Sequence, residues 1–410
     1  MTDWTAVRAR YPAALRKAYL DTACKGIPPP EAISAIEEYC RFVRESPLQS
    51  VTEETILVNE HLARARRETA ELIGAQEDEI ALVESTQHGL NVVADLLRLG
   101  RGDRVVASDL EFFGTVLPWR GAALELVPHR EGRVEVEDLE AAIDSRTRAV
   151  VVSSVQEVNG FLVDLPALSR VCQERGVALV VDAAQHVGPV PIDVRQTPVD
   201  FLAAGGHKWL CSPFGLGFLY VRPELLAELE PSFRGYLSLE EPRQGWAAYL
   251  ADPARTPVDD LGFVGSARSL ETGGTTPALA AAALAACLGV LLQLGPGRIE
   301  ARVQELVASL LDGLDELGLD VVSPRQRRSG IVVFHAADEP RLVQELAAKG
   351  VGVSLRYTSG AGGIRVSPYF YNDEGDLERL LAVVSESAGS PARRRAGSPR
   401  AGLGRAGRRG

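Results

Sequence analysis

The apolar residues of the chain form short continuous runs that alternate with longer stretches of helical spacing. Helical spacing is clear in "TQHGLNVVADLLRL" and "DLPALSRVCQERG". The apolar runs are rich in Val, Leu and Ala and are bounded by polar residues; they are "EIALVES", "DRVVASD", "RAVVVSSV", "VALVVDAAQ", "VDFLAAGGHK" and "GLGFLYV". Strands that are apolar along their whole length and alternate with helices predict a parallel or mixed sheet covered on both faces.

The pattern changes after residue 296. A long amphipathic segment, "RIEARVQELVASLLDGLDEL", is followed by shorter apolar and helical segments, which together predict a smaller α+β lobe. We therefore predict an α/β protein with a mostly parallel central sheet in a large domain over residues 21–289. The predicted small domain combines residues 1–20 with residues 290–388, and residues 389–410 form a basic tail that we expect to be disordered.

Composition and charge narrow the choice of partners. The chain has 410 residues, of which 46% are hydrophobic, enough for a large core. The formal net charge is −11, although the last 20 residues carry seven arginines and no acid. An acidic body argues against nucleic acid as the main partner. The Gly/Pro/Arg-rich tail is typical of a disordered extension, and anion or nucleic-acid binding is its alternative interpretation.

The cysteines and the ends of the chain indicate a cytoplasmic protein. No pair of the five cysteines has zinc-type spacing, and an odd, scattered set does not predict a disulfide framework. We expect no metal site. The start, "MTDWTAVRARYPAAL", lacks the apolar centre of a signal peptide. The longest apolar run, "PALAAAALAACLGVLLQL", predicts a buried helix rather than a membrane span.

One lysine lies in an unusually apolar stretch, "FLAAGGHKWLCSPFGLGFLYV", which begins at residue 201. This lysine, Lys208, follows His207 and has apolar residues on either side. A lysine removed from water has a lowered pKa and becomes a usable amine nucleophile. The alternative, a surface lysine with a buried stem, would call for more polar neighbours than this stretch offers.

Polar residues stand where neighbouring strands are predicted to end, the place where open α/β sheets bind ligands. Asp182 ends "VALVVD" and Gln185 follows one turn later; a cap or structural ion pair is the alternative role for this acid. Thr86 and Gln87 begin a helix, where free N–H groups suit a phosphate as well as an ordinary cap. A desolvated lysine, a strand-end acid and such a helix start predict a pyridoxal phosphate site, in which Asp182 keeps the ring nitrogen protonated.

These motifs resemble those of the class V aminotransferase superfamily, which includes cysteine desulfurases, selenocysteine lyase, isopenicillin N epimerase and kynureninase. The resemblance is carried by "VDAAQHVGPVPIDV" and "VDFLAAGGHKWLCSPFGLGFLYV", with "YLDTACKG" before them and "GGIRVSPYFYNDEGDLERLL" after them. The Asp-x-x-Gln and His-Lys pairs are the most specific part. The resemblance implies the type I fold of pyridoxal phosphate enzymes, an amino-acid substrate, and a homodimer with composite active sites.

The resemblance also implies roles for individual residues. Lys208 would bind the cofactor covalently, and Asp182 would meet its ring nitrogen. Arg365 would bind the substrate α-carboxylate with both arms of its guanidinium, although the residues alone fit a surface salt bridge equally well. The remaining contacts implied are Gln185 to the phenolic oxygen, Thr86, Gln87 and His207 to the phosphate, and Thr275 to the phosphate of the neighbouring subunit.

Three positions depart from the desulfurase pattern. Phe112 replaces a histidine; it can stack on the cofactor but cannot carry a proton, and a place in the core is its alternative. Glu157 stands where a polar amide is usual, and Gln156 or Asn159 could face the cofactor instead. The segment from residue 350 to 365 lacks the mobile cysteine of desulfurases. Cys24 then remains as a sulfur carrier, or as an inert buried cysteine.

These observations favour an enzyme that removes the α-proton of an amino acid. We expect a C–S or C–Se lyase, or an epimerase-like enzyme, without the persulfide cysteine. The alternatives are an aminotransferase, and a cysteine desulfurase that uses Cys24 or a thiol of a partner. A binding module that kept only the fold is a further hypothesis, but the set Asp182, Gln185, His207 and Lys208 argues against it.

Overall fold

The computed structural model describes most of the chain, namely residues 2–45, 51–228, 230–233, 235–256, 261–271, 277–326 and 328–389. The predicted phosphate contact Thr275 lies outside these ranges. The predicted disordered tail also lies outside them, apart from residue 389.

The strands of the described ranges belong to one large sheet and two small ones. They are β1 (Ala18–Tyr19), β2 (Ile80–Val83), β3 (Arg104–Ser108), β4 (Ala123–Val127), β5 (Thr147–Ser153), β6 (Ala178–Asp182), β7 (Phe201–Gly205), β8 (Gly217–Val221), β9 (Val332–Phe334), β10 (Val351–Gly352), β11 (Ser354–Thr358) and β12 (Ala361–Val366).

Helices flank these sheets on both sides. They are α1 (Trp4–Ala9), α2 (Pro12–Arg16), α3 (Pro30–Glu45), α4 (Val51–Ile73), α5 (Thr86–Leu97), α6 (Phe113–Val116), α7 (Val136–Ala142), α8 (Leu165–Arg175), α9 (Pro223–Leu226), α10 (Trp246–Ala251), α11 (Ala278–Leu294), α12 (Pro296–Glu316), α13 (Glu339–Ala348) and α14 (Glu374–Gly389).

The large sheet has seven strands in the order β2-β8-β7-β6-β5-β3-β4. Its strands from β7 to β4 run parallel to one another, whereas β8 is antiparallel to both of its neighbours. Successive residues of β5 enter separate apolar cores on the two faces, Val150 and Val152 in one, Ala149 and Val151 in the other. The mostly parallel sheet, covered on both faces, is as predicted.

The C-terminal part forms a second, smaller layer of sheet and helices. Its three-stranded antiparallel sheet has the order β11-β12-β9; α12 and α13 pack against this sheet, and α14 packs on those two helices. Strand β1 pairs in parallel with β10, with Ala18 opposite Val351. Arg8 reinforces this contact through an ion pair of 2.7 Å with Asp376. The first 20 residues therefore pack on the C-terminal lobe, and the chain then crosses to the large sheet.

The longest apolar run forms α11, which packs against α3 and α4 and is largely buried. No single helix of the described ranges is long and apolar enough to cross a membrane. Helices α11 and α12 reach that length and hydropathy only as a pair, and they are bent by 78° where they meet.

Candidate active site

The carboxylate of Asp182 lies at the carboxyl end of β6, in the middle of the large sheet. It is 8% exposed and accepts two hydrogen bonds, from Thr115 Oγ1 at 2.7 Å and from the Ala184 amide at 2.9 Å. Burial raises the pKa of Asp182, while the charge of Lys208 and the two donors lower it. The carboxylate is therefore held in place, but its two donors do not fully offset the cost of removing its negative charge from water. A cation bound beside it would favour the ionised form.

Lys208 follows the end of β7 on the next strand of the sheet. Its amine Nζ has no hydrogen-bond or ion-pair partner among the described residues, and it lies 6.0 Å from the ring centroid of Phe112. Burial lowers the pKa of Lys208, opposed by the charges of Asp182 and Glu157. A lowered pKa increases the fraction of neutral amine, which is the form that acts as a nucleophile and as a proton acceptor.

The "YLDTACKG" segment contacts the Lys208 loop through a glycine. The amide of Gly26 donates to the His207 carbonyl at 2.9 Å, and a Cβ at position 26 would lie 2.1 Å from the Lys208 carbonyl oxygen. Only a residue without a side chain permits this approach. The segment thereby brings Asp21 and Cys24 to the same side of the sheet as the lysine.

The residues expected to hold a phosphate meet where α5 begins. Ser85 caps this helix by accepting from the His88 amide at 3.1 Å, and Thr86 Oγ1 accepts from the Gly205 amide at 2.8 Å. The helix start is thus tied to the end of β7, two residues before His207. Burial, together with the charges of Lys208 and a second lysine, lowers the pKa of His207 to about 4, so its neutral ring can donate one hydrogen bond to an anion.

Phe112 lies immediately before α6, the short helix that carries Thr115. Its ring is 37% exposed and packs against Phe113 at a centroid distance of 4.1 Å, so it does not belong to the core. Because the same ring faces the amine of Lys208, it is available to stack on a planar ligand bound there.

Behind this ring lies a buried carboxylate, Glu111. It accepts hydrogen bonds from both the amide and the hydroxyl of Ser153, and from Gln156 Nε2 at 2.9 Å. Burial raises the pKa of Glu111 to about 7 in spite of these donors. Glu111 therefore fixes the position of the Phe112 loop relative to β5, and its carboxyl group changes its ionisation state near neutral pH.

This raised pKa predicts a pH-dependent contribution to stability. We expect the unfolding free energy of the wild type to fall relative to that of Glu111→Gln as pH rises from about 4.5 to about 7. The contribution of Glu111 to the unfolding free energy is fully present below the pKa that this group has in the unfolded chain, where it is protonated in both the folded and the unfolded state. It is lost as pH rises through the pKa of Glu111 in the folded protein. At 1.36 kcal/mol per pKa unit, it amounts to about 3 kcal/mol.

Denaturant unfolding at several pH values measures this difference. The glutamine can be accommodated because Gln156 Oε1 is buried, has no hydrogen-bond partner in the described part of the chain, and can accept from the new amide. Glu174→Gln, at an exposed position of α8, is the control. Parallel stability curves for the wild type and Glu111→Gln would show that Glu111 ionises as an ordinary surface acid.

Gln185 connects the sheet to the N-terminal segment. Its Nε2 donates to the Ala23 carbonyl at 3.0 Å, and its Oε1 accepts from Trp209 Nε1 at 2.6 Å. One N–H of the amide is left by these two contacts, which is what a bond to a phenolic oxygen would need. This role of Gln185 stays a prediction.

Arg365, on β12, is 1% exposed and belongs to the site rather than to the surface. Its Nη1 lies 2.9 Å from Glu157 Oε2, its Nη2 lies 2.9 Å from Cys24 Sγ, and its Nε donates to Ser354 Oγ at 3.3 Å. The side chain of Asp21 lies 3.6 Å away. The guanidinium is thus held rigidly, and its Nη2 is closer to the Cys24 thiol than to the Asp21 carboxylate.

The segment after β5 places its three polar residues in different surroundings. Glu157 meets Arg365, whereas Gln156 turns back to Glu111, and Asn159 Nδ2 donates to the Gly132 carbonyl at 2.6 Å. Of the three, Glu157 is therefore the residue at the proposed substrate site.

Cys24 is only partly buried and lies between two guanidinium groups. Its sulfur is 2.9 Å from Arg365 Nη2 and 3.0 Å from Arg356 Nη2. This setting differs from the inert buried cysteine that was one interpretation of the sequence. Of the other cysteines, Cys40 is exposed on α3, and the remaining three are buried.

Two residues of the site were not singled out from the sequence. Thr115 orients Asp182 from 67 residues away, and nothing near it in the sequence marks that contact. Arg356 follows Ser354 by two residues on β11, and residues two apart on a strand share a face. Ser354 is paired with Arg365 across the hairpin, so the spacing of Arg356 from Ser354 could have indicated that Arg356 lies on the same face as Arg365.

This arrangement fits pyridoxal phosphate. An unpartnered amine, a buried carboxylate, an aromatic ring and a helix start beside a neutral histidine match, in that order, the aldehyde, ring nitrogen, ring face and phosphate of the cofactor. The chain also matches the family model described as Aminotransferase class-V over residues 18–380. It therefore belongs to the class V aminotransferase family.

Individual relatives agree over nearly the whole length. A probable cysteine desulfurase of Pyrococcus abyssi is 28% identical, with 93% of this chain and 96% of the relative covered. An isopenicillin N epimerase of Streptomyces clavuligerus is also 28% identical, with 95% and 99% covered. The structure of a cysteine desulfurase from Thermococcus onnurineus NA1 superimposes with a TM-score of 0.82 at 26% identity, covering 94% of this chain and 98% of that one.

Family membership confirms the main predictions. The protein has the predicted α/β fold and is an enzyme of the class V aminotransferase family, whose cofactor is pyridoxal phosphate. The roles of single residues stay predictions, and so do the domain boundaries.

Proposed function

We propose that this enzyme is a C–S or C–Se lyase that eliminates the β-substituent of an α-amino acid without forming a persulfide on the protein. The observation that carries the proposal is the hairpin of β11 and β12, which occupies the segment where the resemblance to desulfurases calls for a mobile cysteine.

The hairpin is short and anchored. Its strands pair from Ser354 opposite Arg365 to Thr358 opposite Ala361, leaving a turn of Ser359 and Gly360. The hydroxyl of Ser359 donates to the Asp109 carbonyl at 2.7 Å, which ties the turn to the large domain. This segment contains no sulfur and is fixed at both ends, so it supports chemistry in which no thiol of this segment takes up sulfur.

The residues of the site would each have a separate role in this reaction. When bound, pyridoxal phosphate supplies an electron sink for the bonds at Cα. The amine of Lys208 accepts the α-proton, as its lowered pKa permits, and Asp182 holds a proton at the ring nitrogen. Arg365 binds the α-carboxylate, and Phe112 covers the ring and excludes water.

Two other outcomes of the same proton removal are alternatives. Return of the proton to the opposite face of Cα would be an epimerisation. Return of the proton to an atom other than Cα, with transfer of the amino group to the cofactor, would be a transamination. The similarity to an isopenicillin N epimerase supports the first of these.

A second candidate function, cysteine desulfurase, is favoured by the position of Cys24. Its sulfur is only partly buried and contacts the guanidinium groups of Arg356 and Arg365, so it lies at the proposed substrate site where a sulfur acceptor is needed. The relatives named as cysteine desulfurases agree with this candidate. A thiol of a partner protein is an equivalent acceptor.

Product analysis separates these functions. Incubation with cysteine, selenocysteine and S-substituted cysteines should yield pyruvate, ammonia and the released thiol or selenol if the enzyme is a lyase. Alanine with enzyme-bound sulfur would establish the desulfurase instead. A keto acid that retains the sulfur or selenium substituent would establish the aminotransferase, and a D-amino acid would establish the epimerase.

Replacing Cys24 tests directly whether the enzyme is a lyase or a desulfurase. We expect Cys24→Ala to keep turnover within about threefold of wild type, because elimination needs no thiol and a single thiol contact contributes under about 1 kcal/mol. Mass spectrometry after incubation with cysteine should show no persulfide on Cys24. Cys40→Ala, at an exposed position, is the matched control. An inactive Cys24→Ala together with a Cys24 persulfide would establish the desulfurase.

The proposal includes the assembly and location expected from the sequence. We propose a homodimer in which Thr275 of each subunit contacts the phosphate of the other, acting in the cytoplasm on a small-molecule substrate. We propose no nucleic-acid or membrane partner.

A further inference from the structure

Arg356 is a second guanidinium at the substrate site, and its charge has no carboxylate partner among the described residues. Its Nη1 donates to the Leu355 carbonyl at 2.8 Å, and its Nη2 lies 3.0 Å from Cys24 Sγ. The carboxylates nearby, Glu157 and Asp21, are both turned to Arg365. A guanidinium has five donors, so most of those of Arg356 remain available.

The placement of Arg356 is set by the hairpin. Ser354 and Arg356 lie two residues apart on β11 and share a face, and Ser354 is paired with Arg365 on β12. Both guanidinium groups contact the sulfur of Cys24, so they are near neighbours at the site. A ligand whose α-carboxylate lies on Arg365 would therefore extend past Cys24 towards Arg356.

We propose that Arg356 is a specificity residue that binds a second anionic group at the end of the substrate side chain. This inference rests on the proposed lyase function and narrows its substrates to α-amino acids whose sulfur substituent ends in a carboxylate or similar oxyanion. A partly buried guanidinium is costly without an anion, and it forms strong, two-pronged hydrogen bonds with carboxylates. Arg365 then selects the amino-acid end, and Arg356 selects the far end.

Two isosteric substrates test the proposal on the holoenzyme. S-carboxymethyl-L-cysteine carries the distal carboxylate, whereas S-carbamoylmethyl-L-cysteine has an uncharged amide of the same shape. In Arg356→Met, we expect the Kd from calorimetry and the KM to rise about 10- to 100-fold for the carboxylate, with little change for the amide. The kcat should change little for either compound, because Arg356 would hold the far end of the substrate and takes no part in the proton transfer.

Two control variants complete the experiment: one keeps the positive charge at position 356, and the other removes a positive charge at a distant position. Arg356→Lys should restore part of the preference for the carboxylate, while Arg341→Met, on exposed α13, should leave both compounds unaffected. Equal losses for the two compounds in Arg356→Met would overturn the proposal and make Arg356 a residue that only positions Cys24. So would a wild-type enzyme that does not prefer the carboxylate.

The failure of the lyase function is recognisable separately. If neither compound yields pyruvate, the proposed reaction is wrong. The calorimetric comparison still decides the role of Arg356, because it measures binding rather than turnover.

Discussion

Lys208→Ala should lower turnover by at least about a thousandfold, because the variant loses both the covalent attachment of the cofactor and the base that removes the α-proton. No other described amine has the same surroundings. Lys208 is partly buried, its pKa responds to the charge of Asp182, and its amine faces the ring of Phe112 with no hydrogen-bond or ion-pair partner among the described residues. Steady-state kinetics with excess cofactor measure the loss, and visible absorption reports how much cofactor remains bound.

The attachment site can be located independently of turnover. Borohydride reduction of the wild type followed by peptide mapping should place the cofactor on Lys208. Lys349→Ala, at an exposed position paired with Glu386, is the matched control and should retain full activity. A label on another lysine, or none, would contradict the assignment of Lys208.

Asp182→Asn should lower kcat by about a hundredfold to a thousandfold while the protein stays folded. The amide has nearly the shape of the carboxylate and can still accept from Thr115, but it cannot stabilise a protonated ring nitrogen. Without that proton the cofactor withdraws electrons poorly, so the effect falls on the chemical step rather than on substrate binding. The kcat and KM, measured separately, should therefore respond differently.

A neighbouring substitution separates charge from position. Thr115→Val keeps the carboxylate and removes one of its two donors, so its loss of activity should be much smaller than that of Asp182→Asn. Asp312→Asn, at an exposed position of α12, controls for the loss of one charge. Equal turnover in the wild type and Asp182→Asn would remove Asp182 from its assigned role.

The parts of the site that the sequence predicts are those tied to the ends of strands. Asp182 and Lys208 follow apolar runs that are buried on both sheet faces, and such runs are recognisable because their composition is continuous. The carboxyl ends of parallel strands meet at one edge, so the two residues could be placed together without knowing the order of the strands.

The parts that escape prediction depend on irregular backbone or distant contacts. The segment after β5 leaves the strand before Gln156, so the alternation of a strand no longer tells which of Gln156 and Glu157 faces the ligand. The contact of Cys24 with Arg365 joins residues 341 positions apart. Such a contact follows from the docking of two lobes, and neither local spacing nor composition encodes it.

The pairing of the N-terminal segment with the C-terminal lobe has a consequence for synthesis. Thr22 shares a hydrogen bond of 2.7 Å with Tyr371, and the Ala23 amide donates to Ser367 Oγ at 3.0 Å, across a separation of 344 residues. The segment that carries Cys24 is therefore synthesised long before its partners in the C-terminal lobe. At roughly 5–20 residues per second, it waits tens of seconds for them. The site is therefore completed only after the C-terminal lobe has been synthesised, and a nascent chain stopped before residue 367 contains Lys208 but lacks the hydroxyl of Ser367 that holds the Cys24 segment.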